Sequence, residues 1–309
     1  MKETIKYYYN MDVLNLEEKD GKYFFKYQNQ DFFFVFFNRN IEELDDILKC
    51  TINMKEKGID AHNIIVNING EVLTKVDNFN YILMSVSKFN EEYDIFDIVN
   101  MINKLTLNNQ TSKLYRNNWS ALWSEKMDYF EYQIRELGLE KKVIQESFSY
   151  YLGLAENAIS YVNNTNLKYN SFDAKITLSH RRIFYPNYKI NFLNPLSFIF
   201  DLEVRDIAEY LKAMFFSPMN DEDVLEELKC FLRIKKLTLY EYHMLFARLL
   251  YPSYYFDLYE SVMNNDDSEE KLVPIIAKNK DFELFLKEAY LEISKYAPID
   301  KINWLINLC

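Results

Sequence analysis

The chain has 309 residues, of which 49% are hydrophobic and 27% charged, so it can bury a sizeable core and has the balance of an ordinary globular protein. Its formal net charge of −11, with no long basic run, makes nucleic acid a poor partner, because a phosphate backbone would be repelled. The 25 Tyr and 24 Phe, against five Gly and six Pro, argue against disorder over most of the chain.

The cysteines and the N-terminus indicate the compartment. Cys50, Cys230 and Cys309 are odd in number and widely spaced, which predicts reduced thiols without a disulfide framework or a zinc site. The N-terminal sequence MKETIKYYYNMD has no apolar segment of a signal peptide, and the strongest apolar run, residues 32–37, is too short to span a bilayer. We therefore expect a cytoplasmic protein without a transmembrane segment.

The first 90 residues have the pattern of a small antiparallel sheet. Segments with strand chemistry are separated by turn signals, notably Asp20-Gly21 and Asn69-Gly70. The predicted strands cover residues 12–18, 22–27, 32–37, 62–68, 71–76 and 80–86. We expect the run FFFVFF at 32–37 to be a central strand covered on both faces, because its exposure would promote aggregation.

One helix interrupts these strands, from about residue 40 to residue 57. Asn40 is suited to cap its start and Gly58 to end it. Four apolar residues keep helical spacing within it: Ile41, Leu44, Leu48 and Ile52.

After residue 90 the pattern is almost entirely helical. Amphipathic segments cover residues 92–106, 117–137, 141–163, 203–214, 221–234, 237–249, 252–263 and 281–296. The stretch 174–201 breaks this pattern with two strand-like runs around a loop that contains Pro186. The sequence thus predicts an α+β protein with a sheet lobe at 1–90 and a larger helical lobe at 91–309.

Four segments carry a resemblance to a known family. A sheet lobe followed by a helical lobe is the order of the protein-kinase and aminoglycoside-phosphotransferase folds, although fold order alone does not establish function. The chain resembles the spore-coat-associated, kinase-like proteins of endospore-forming bacteria, in a likeness that runs from about residue 12 to 290. The segments are NNWSALWSEKMDYFEYQIRELG (117–138), ESFSYYLGLAENAISYV (146–162), NPLSFIFDLEVRDIAEYLK (194–212) and LFARLLYPSYYFDLYE (245–260).

This resemblance implies a degenerate catalytic loop. By the kinase pattern the loop begins with His180, Arg181 and Arg182. Asn187 then falls on the expected spacing, with Asn191 and Asn194 as alternative registers, and Asp201 lies about where a metal-binding aspartate belongs. Arg182 occupies the place of the catalytic aspartate, and its guanidinium has no acceptor for a proton.

The sheet lobe departs further from a kinase. No lysine lies in the third strand, where Phe36 is near the expected place of the phosphate-binding lysine. The sequence has no Gly-x-Gly-x-x-Gly loop. Because phosphoryl transfer depends on positioned cations and donors around the phosphates, these absences indicate a pseudokinase.

Structural interpretations of the same residues stay open. The two arginines of the loop either face a bound anion or bridge acidic groups such as Asp206 and Glu209. Asn187 and Asp201 form a relic metal site, or Asn187 caps a turn and Asp201 caps the helix that it opens. The histidines His62 and His243 lack metal-spaced companions and are interpreted as structural. A helical stripe, favoured as core over a ligand platform, contains Trp119, Trp123, Tyr129 and Tyr132.

The leading hypothesis is a non-catalytic, kinase-like protein that works by binding. The resemblance implies protein partners among spore coat components and a location in the coat. The alternatives are an atypical Mg-ATP-dependent phosphotransferase acting on a small molecule, with Glu203 or Asp206 as metal ligands, and a nucleotide-binding switch without turnover. No cofactor is assigned, and Mg-ATP stays open for both alternatives.

Overall fold

The structure is a computed structural model that describes residues 1–19, 21–86, 94–106, 112–137, 140–172, 174–183, 193–218 and 223–308. Its contacts divide the chain into two compact units. Unit 1 comprises Met1–Glu92, Asn109–Leu114 and Lys189–Ile199. Unit 2 comprises Tyr93–Asn108, Tyr115–Tyr188 and Phe200–Cys309. No helix among the described residues is long and apolar enough to cross a membrane.

Unit 1 is built on an antiparallel sheet, as predicted. Its elements are α1 (Lys2–Tyr9), β1 (Glu17–Lys19), β2 (Lys22–Tyr27), β3 (Gln30–Phe36), α2 (Leu44–Glu56), β4 (Asn63–Ile65), β5 (Thr74–Val76) and β6 (Phe79–Ser85). The strand order is β1-β2-β3-β6-β4, and β5 also pairs with β6. The Asn40 side chain accepts from the Glu42 N–H at the start of a 3₁₀ turn, Ile41–Glu43, that leads into α2.

Two parts of unit 1 differ from the predicted strands. Residues 2–9 form helix α1, which ends at Asn10 in the left-handed region with φ of 55°. Of the strand predicted at 12–18, only residues 17 and 18 lie in a strand, β1. The strands predicted at 62–68 and 71–76 are shorter because the Asn67 side chain accepts from the Asn69 and Glu71 N–H groups, at 2.9 and 3.0 Å, and bends the chain between them.

Strand β3 is central, and its residues 32–35 are buried. On one face Phe34 packs with Ile5 and Tyr9 of α1. On the other face the ring of Phe33 lies edge-on to the ring of His62, with centroids 5.2 Å apart. The predicted double cover is therefore confirmed for residues 32–35, whereas Phe36 is 43% exposed.

Residues 193–199 return to unit 1 from far along the chain. The Arg39 Nη1 donates to the Leu196 and Phe198 carbonyls at 2.8 and 2.9 Å, and its Nε donates to Glu43 at 2.6 Å. Asn194 accepts from the Leu196 N–H at 3.0 Å and starts a 3₁₀ turn.

Unit 2 is mainly helical, as predicted. Its elements are α3 (Ile95–Lys104), α4 (Trp119–Leu137), α5 (Lys142–Lys168), β7 (Ile176–His180), β8 (Phe198–Leu202, of which 200–202 belong to this unit), α6 (Arg205–Phe216), α7 (Val224–Ile234), α8 (Leu239–Leu250), α9 (Ser253–Met263), α10 (Val273–Ala277), α11 (Asn279–Ser294) and α12 (Asn303–Ile306). Strands β7 and β8 pair with each other. Helix α8 is buried around its whole circumference from residue 240 onward, which places it at the centre of the unit.

Candidate functional site

The candidate site lies in unit 2, where β7, β8 and the first turn of α6 meet. His180 lies at the end of β7, Asp201 lies inside β8, and Arg205 and Asp206 lie at the start of α6. The expectation that Asp201 opens a helix is wrong. Asp201 is a strand residue, and α6 begins at Arg205 after Val204.

Asp206 fixes the start of the predicted catalytic loop. One of its carboxylate oxygens accepts from the His180 N–H at 3.0 Å, and the other accepts from His180 Nδ1 at 2.6 Å. Both side chains are buried. The imidazole is therefore engaged inside the protein, which agrees with a structural role for Asp206.

Asp201 has both of its carboxylate oxygens occupied by protein donors. Trp119 Nε1 donates to both of them, at 2.8 and 3.0 Å, and the Leu202 N–H donates to one at 2.7 Å. Arg205 Nη1 donates to the other at 2.8 Å. Burial raises the pKa of Asp201, and Arg205 and Arg248 act against that rise. The residue is inaccessible to solvent.

Arg205 connects Asp201 to the backbone of the loop. Its Nε donates to the His180 carbonyl at 3.0 Å and its Nη2 donates to the Arg181 carbonyl at 3.1 Å. Burial lowers the pKa of Arg205, and Arg248 adds to that effect, while Asp201 opposes it. The buried Asp201–Arg205 pair thus holds the loop in place through two carbonyl groups.

A second buried ion cluster lies next along α6, around Glu209 and Lys212. Arg248 Nε donates to Glu209 at 2.6 Å, and Lys212 Nζ donates to the same carboxylate at 3.0 Å. Lys212 also donates to the Arg248 and Tyr251 carbonyls and to Ser253 Oγ, at 2.9, 3.0 and 2.7 Å. These bonds join α6 to the connection between α8 and α9.

The charges in this cluster shift each other's titration. Burial lowers the pKa of Lys212 to about 8, although Glu209 opposes that effect. For Glu209 burial acts to raise the pKa, but Arg248 and Lys212 outweigh it and hold the pKa below its usual range. The guanidinium of Arg248 lies 5.1 Å from the ring centroid of Trp119 and 5.4 Å from that of Trp123. The buried arginine is therefore stabilised by an acid on one side and two indoles on the other.

Arg182 has its own partners, away from these clusters. Its Nη2 lies 2.8 Å from Asp257 Oδ1 and 3.0 Å from Glu260 Oε2, both on α9. Lys126 of α4 donates to the same Glu260 oxygen at 2.8 Å. The Arg182 side chain is 42% exposed, so solvent screens these pairs more than the buried ones. The loop arginine bridges acidic groups, but they are Asp257 and Glu260 and not the residues of α6 suggested by the sequence.

The comparisons with known proteins identify the family. The family described as "Spore coat putative kinase YutH" has a model that matches residues 2–289. The chain belongs to this family. A curated relative, the "Endospore coat-associated protein YutH" of Bacillus subtilis (strain 168), is 30% identical over 210 residues, which are 60% of this chain and 61% of the relative. The match therefore spans about three fifths of the relative's length.

Solved structures show the fold. An aminoglycoside phosphotransferase from Alicyclobacillus acidocaldarius superposes with a TM-score of 0.57 at 7% identity, over 94% of this chain and 95% of that one. The AMP-bound spectinomycin phosphotransferase APH(9)-Ia gives 0.57 at 11% identity, over 94% and 96%. The amicoumacin kinase hAmiN gives 0.54 at 10% identity, over 96% and 94%. The expected kinase-like α+β fold and the family resemblance are both confirmed, and at this identity the solved structures establish the fold alone.

The other residues of the predicted site either lie outside the described residues or have partners within the protein. Asn187, the alternative Asn191 and Cys309 lie outside the described residues. Arg181 is exposed, and its carbonyl accepts from Arg205. Glu203, an alternative metal ligand, is buried with Lys235 Nζ at 2.9 Å from its Oε2.

His243 has a structural role, as the sequence suggested. Its Nδ1 donates to the Leu239 carbonyl at 2.8 Å, and its Nε2 accepts from the Asp300 N–H at 3.3 Å. Burial lowers the pKa of His243, consistent with a neutral ring.

Four charged residues of these clusters were not predicted from the sequence: Lys212, Arg248, Asp257 and Glu260. Lys212 and Arg248 carried a usable signal, since each is a lone cation within an apolar helical run, LKAMFF and MLFARLL. Such a residue is rarely buried unless it is paired. Asp257 and Glu260 carried no such signal, because acidic residues on a helix are usually solvated.

Proposed function

We propose that this protein is a kinase-like protein without phosphoryl-transfer activity, and that it works by binding other proteins as a component of the spore coat. The observation that carries the proposal is the bonding of Arg182. In the kinase pattern Arg182 occupies the sequence position of the catalytic aspartate, and its guanidinium is bound by Asp257 and Glu260.

An arginine cannot do the work of a catalytic aspartate. The guanidinium has no acceptor, so it cannot receive the proton of a substrate hydroxyl. Burial acts to lower the pKa of Arg182, but Asp257 and Glu260 outweigh it and raise the pKa, which keeps the group protonated. Loss of a positioned acid–base group alone removes about 10²–10⁴ of rate enhancement.

The described residues also do not fit Mg-ATP. A metal ion at Asp201 would have to displace Arg205 and Trp119 from a buried carboxylate whose oxygens are both engaged. Strand β3 carries no lysine for the phosphates, and the sequence has no glycine-rich loop. In the described ranges, no group of three or more His, Cys, Asp or Glu side chains is arranged to hold a metal ion. We therefore derive no step of phosphoryl transfer.

The coat assignment rests on the family and the relative. The family description names the spore coat, and the relative from Bacillus subtilis is named as endospore coat-associated. A non-catalytic role in a coat requires contacts with other proteins, and the net charge of −11 favours partners with basic surfaces.

A thermal-shift titration with ATP, ADP and GTP, each with and without Mg²⁺, tests the catalytic part of the proposal. A ligand of the folded state at a hundred times its dissociation constant adds about 2.7 kcal/mol, a shift of a few degrees. We expect no shift at millimolar nucleotide and no release of ADP or phosphate in a coupled assay.

A Mg²⁺-dependent shift without turnover would replace the proposal by a nucleotide-binding switch, and a shift with turnover would replace it by a phosphotransferase.

The coat part of the proposal has a separate test. A fluorescent fusion expressed in sporulating Bacillus subtilis should collect at the spore coat, and a variant with Arg182→Gln should collect equally well. A fusion that stays dispersed in the mother cell would contradict the coat assignment.

A further inference from the structure

Helix α4 turns its tryptophans inward and its tyrosines outward. Trp119 and Trp123 are 1% and 5% exposed, whereas Tyr129 and Tyr132 are 55% and 54% exposed and Leu122 is 40% exposed. The expected core stripe is therefore wrong for the two tyrosines. Residues three and four apart lie on one side of a helix, so Leu122, Tyr129 and Tyr132 form a continuous exposed stripe with aromatic rings at its C-terminal end.

Each of the two exposed rings has a contact within unit 2. Gln133 Nε2 donates to the Tyr129 hydroxyl at 3.0 Å, and the buried Tyr259 hydroxyl donates to Gln133 Oε1 at 3.4 Å. The exposed ring is thus connected through Gln133 to the core of unit 2. The guanidinium of Arg135 lies 6.0 Å from the ring centroid of Tyr132. An aromatic side chain has few rotatable bonds and so loses little conformational entropy on binding, which favours its use in an interface.

The stripe also carries two acidic side chains. Glu125 lies between Leu122 and Tyr129 at helical spacing, and Asp128 lies four residues before Tyr132; both are exposed. Among the described residues neither of the two carboxylates takes part in an ion pair. The tyrosine face of α4 is defined by Leu122, Glu125, Asp128, Tyr129 and Tyr132.

We propose that the tyrosine face of α4 binds a basic segment of a partner protein, through arginine or lysine side chains that contact the tyrosine rings and the two carboxylates. Aromatic faces and carboxylates both attract guanidinium and ammonium groups. Tyrosine is enriched among the residues that dominate binding energy in protein interfaces. The face lies within unit 2 alone, and the inference does not depend on whether the protein transfers phosphate.

Fluorescence anisotropy with a labelled nona-arginine peptide at 0.15 M salt tests the inference on the full-length protein. We expect saturable binding that weakens about tenfold in Tyr129→Leu/Tyr132→Leu, which keeps charge and apolar area but removes the rings. The matched control, Tyr7→Leu/Tyr296→Leu, alters two other exposed tyrosines and should change the affinity less than twofold. Circular dichroism and thermal unfolding establish that each variant is folded.

A second pair of variants separates local recognition from the overall negative charge. Glu125→Gln/Asp128→Asn should weaken binding several-fold more than Glu56→Gln/Glu288→Gln, which removes the same charge from exposed sites elsewhere. Equal effects of the two charge pairs, or equal effects of the two tyrosine pairs, would show that the peptide follows net charge only and would overturn the inference. Self-association in sedimentation that Tyr129→Leu/Tyr132→Leu abolishes would also overturn it, since the occupant would then be a second copy of this chain.

Discussion

Replacing Asp201 with asparagine should destabilise the protein strongly. The carboxylate accepts from Trp119, Leu202 and Arg205 at 2.7 to 3.0 Å in a position without solvent access. Asparagine keeps the shape but loses the charge, and its amide NH₂ group turns a donor toward groups that also donate. Arg205 then loses its hydrogen-bonded acid while Arg248 stays close to it, and only the attraction of Glu209 and Asp206 is left to stabilise its charge.

Breaking a buried ion pair by removing one partner costs about 3–5 kcal/mol, because the other charge stays buried without compensation. Urea unfolding has a slope of about 1–3 kcal/mol per molar for small proteins and a larger slope for longer chains, so the midpoint should fall by roughly 1 M. Removing both charges, in Asp201→Asn/Arg205→Met, should cost less than the sum of the two single changes.

Tryptophan fluorescence reports this unfolding directly, since Trp119 donates to Asp201 and Trp123 stacks on Tyr251. Arg182→Gln is the matched control, because it breaks a partly exposed pair that is worth about 0–1 kcal/mol. If Asp201→Asn lowers the free energy of unfolding by less than about 1 kcal/mol, the carboxylate does not anchor the core as described, and a role as an accessible ligand would regain support.

Three further changes test other parts of the structure. The pKa of Glu209 is held below 4.5, so below about pH 4.5 the unfolded chain binds more protons at this carboxylate than the folded chain, and the free energy of unfolding falls as the pH falls. Glu209→Gln should therefore reduce this acid-dependent loss of stability, measured by urea unfolding between pH 3 and 7. Trp123→Ala should cost about 3–5 kcal/mol in the same assay, whereas Tyr132→Ala on the exposed side should stay within about 0.5 kcal/mol; comparable losses would contradict the orientation of α4. Arg182→Asp places a third carboxylate against Asp257 and should lower the thermal midpoint more than Arg182→Ala, and an equal effect would argue against the ion pair.

The sequence predicted those features that depend on neighbouring residues. The helical period, the cap at Asn40 and the glycine turns predicted most elements of the antiparallel sheet and the helical part, because these signals act over a few residues. They failed where a side chain reorganised the local backbone, as Asn67 does between β4 and β5. The local signals also failed at Asp201, because an acidic residue shortly before a helix has the same sequence pattern whether it caps the helix or ends a strand.

By itself the sequence determined the fold class, the family resemblance, the absence of a lysine from the third strand, and the arginine at position 182 of the predicted catalytic loop, because each of these is a local pattern or a residue identity. Only the tertiary structure decided what the charged residues bind. Trp119 meets Asp201 across 82 residues, and Arg182 meets Glu260 across 78. The orientation of α4 was decided in the same way, since its aromatic spacing is the same whichever side faces the core. Such pairings depend on how distant helices pack, and no local pattern carries that information.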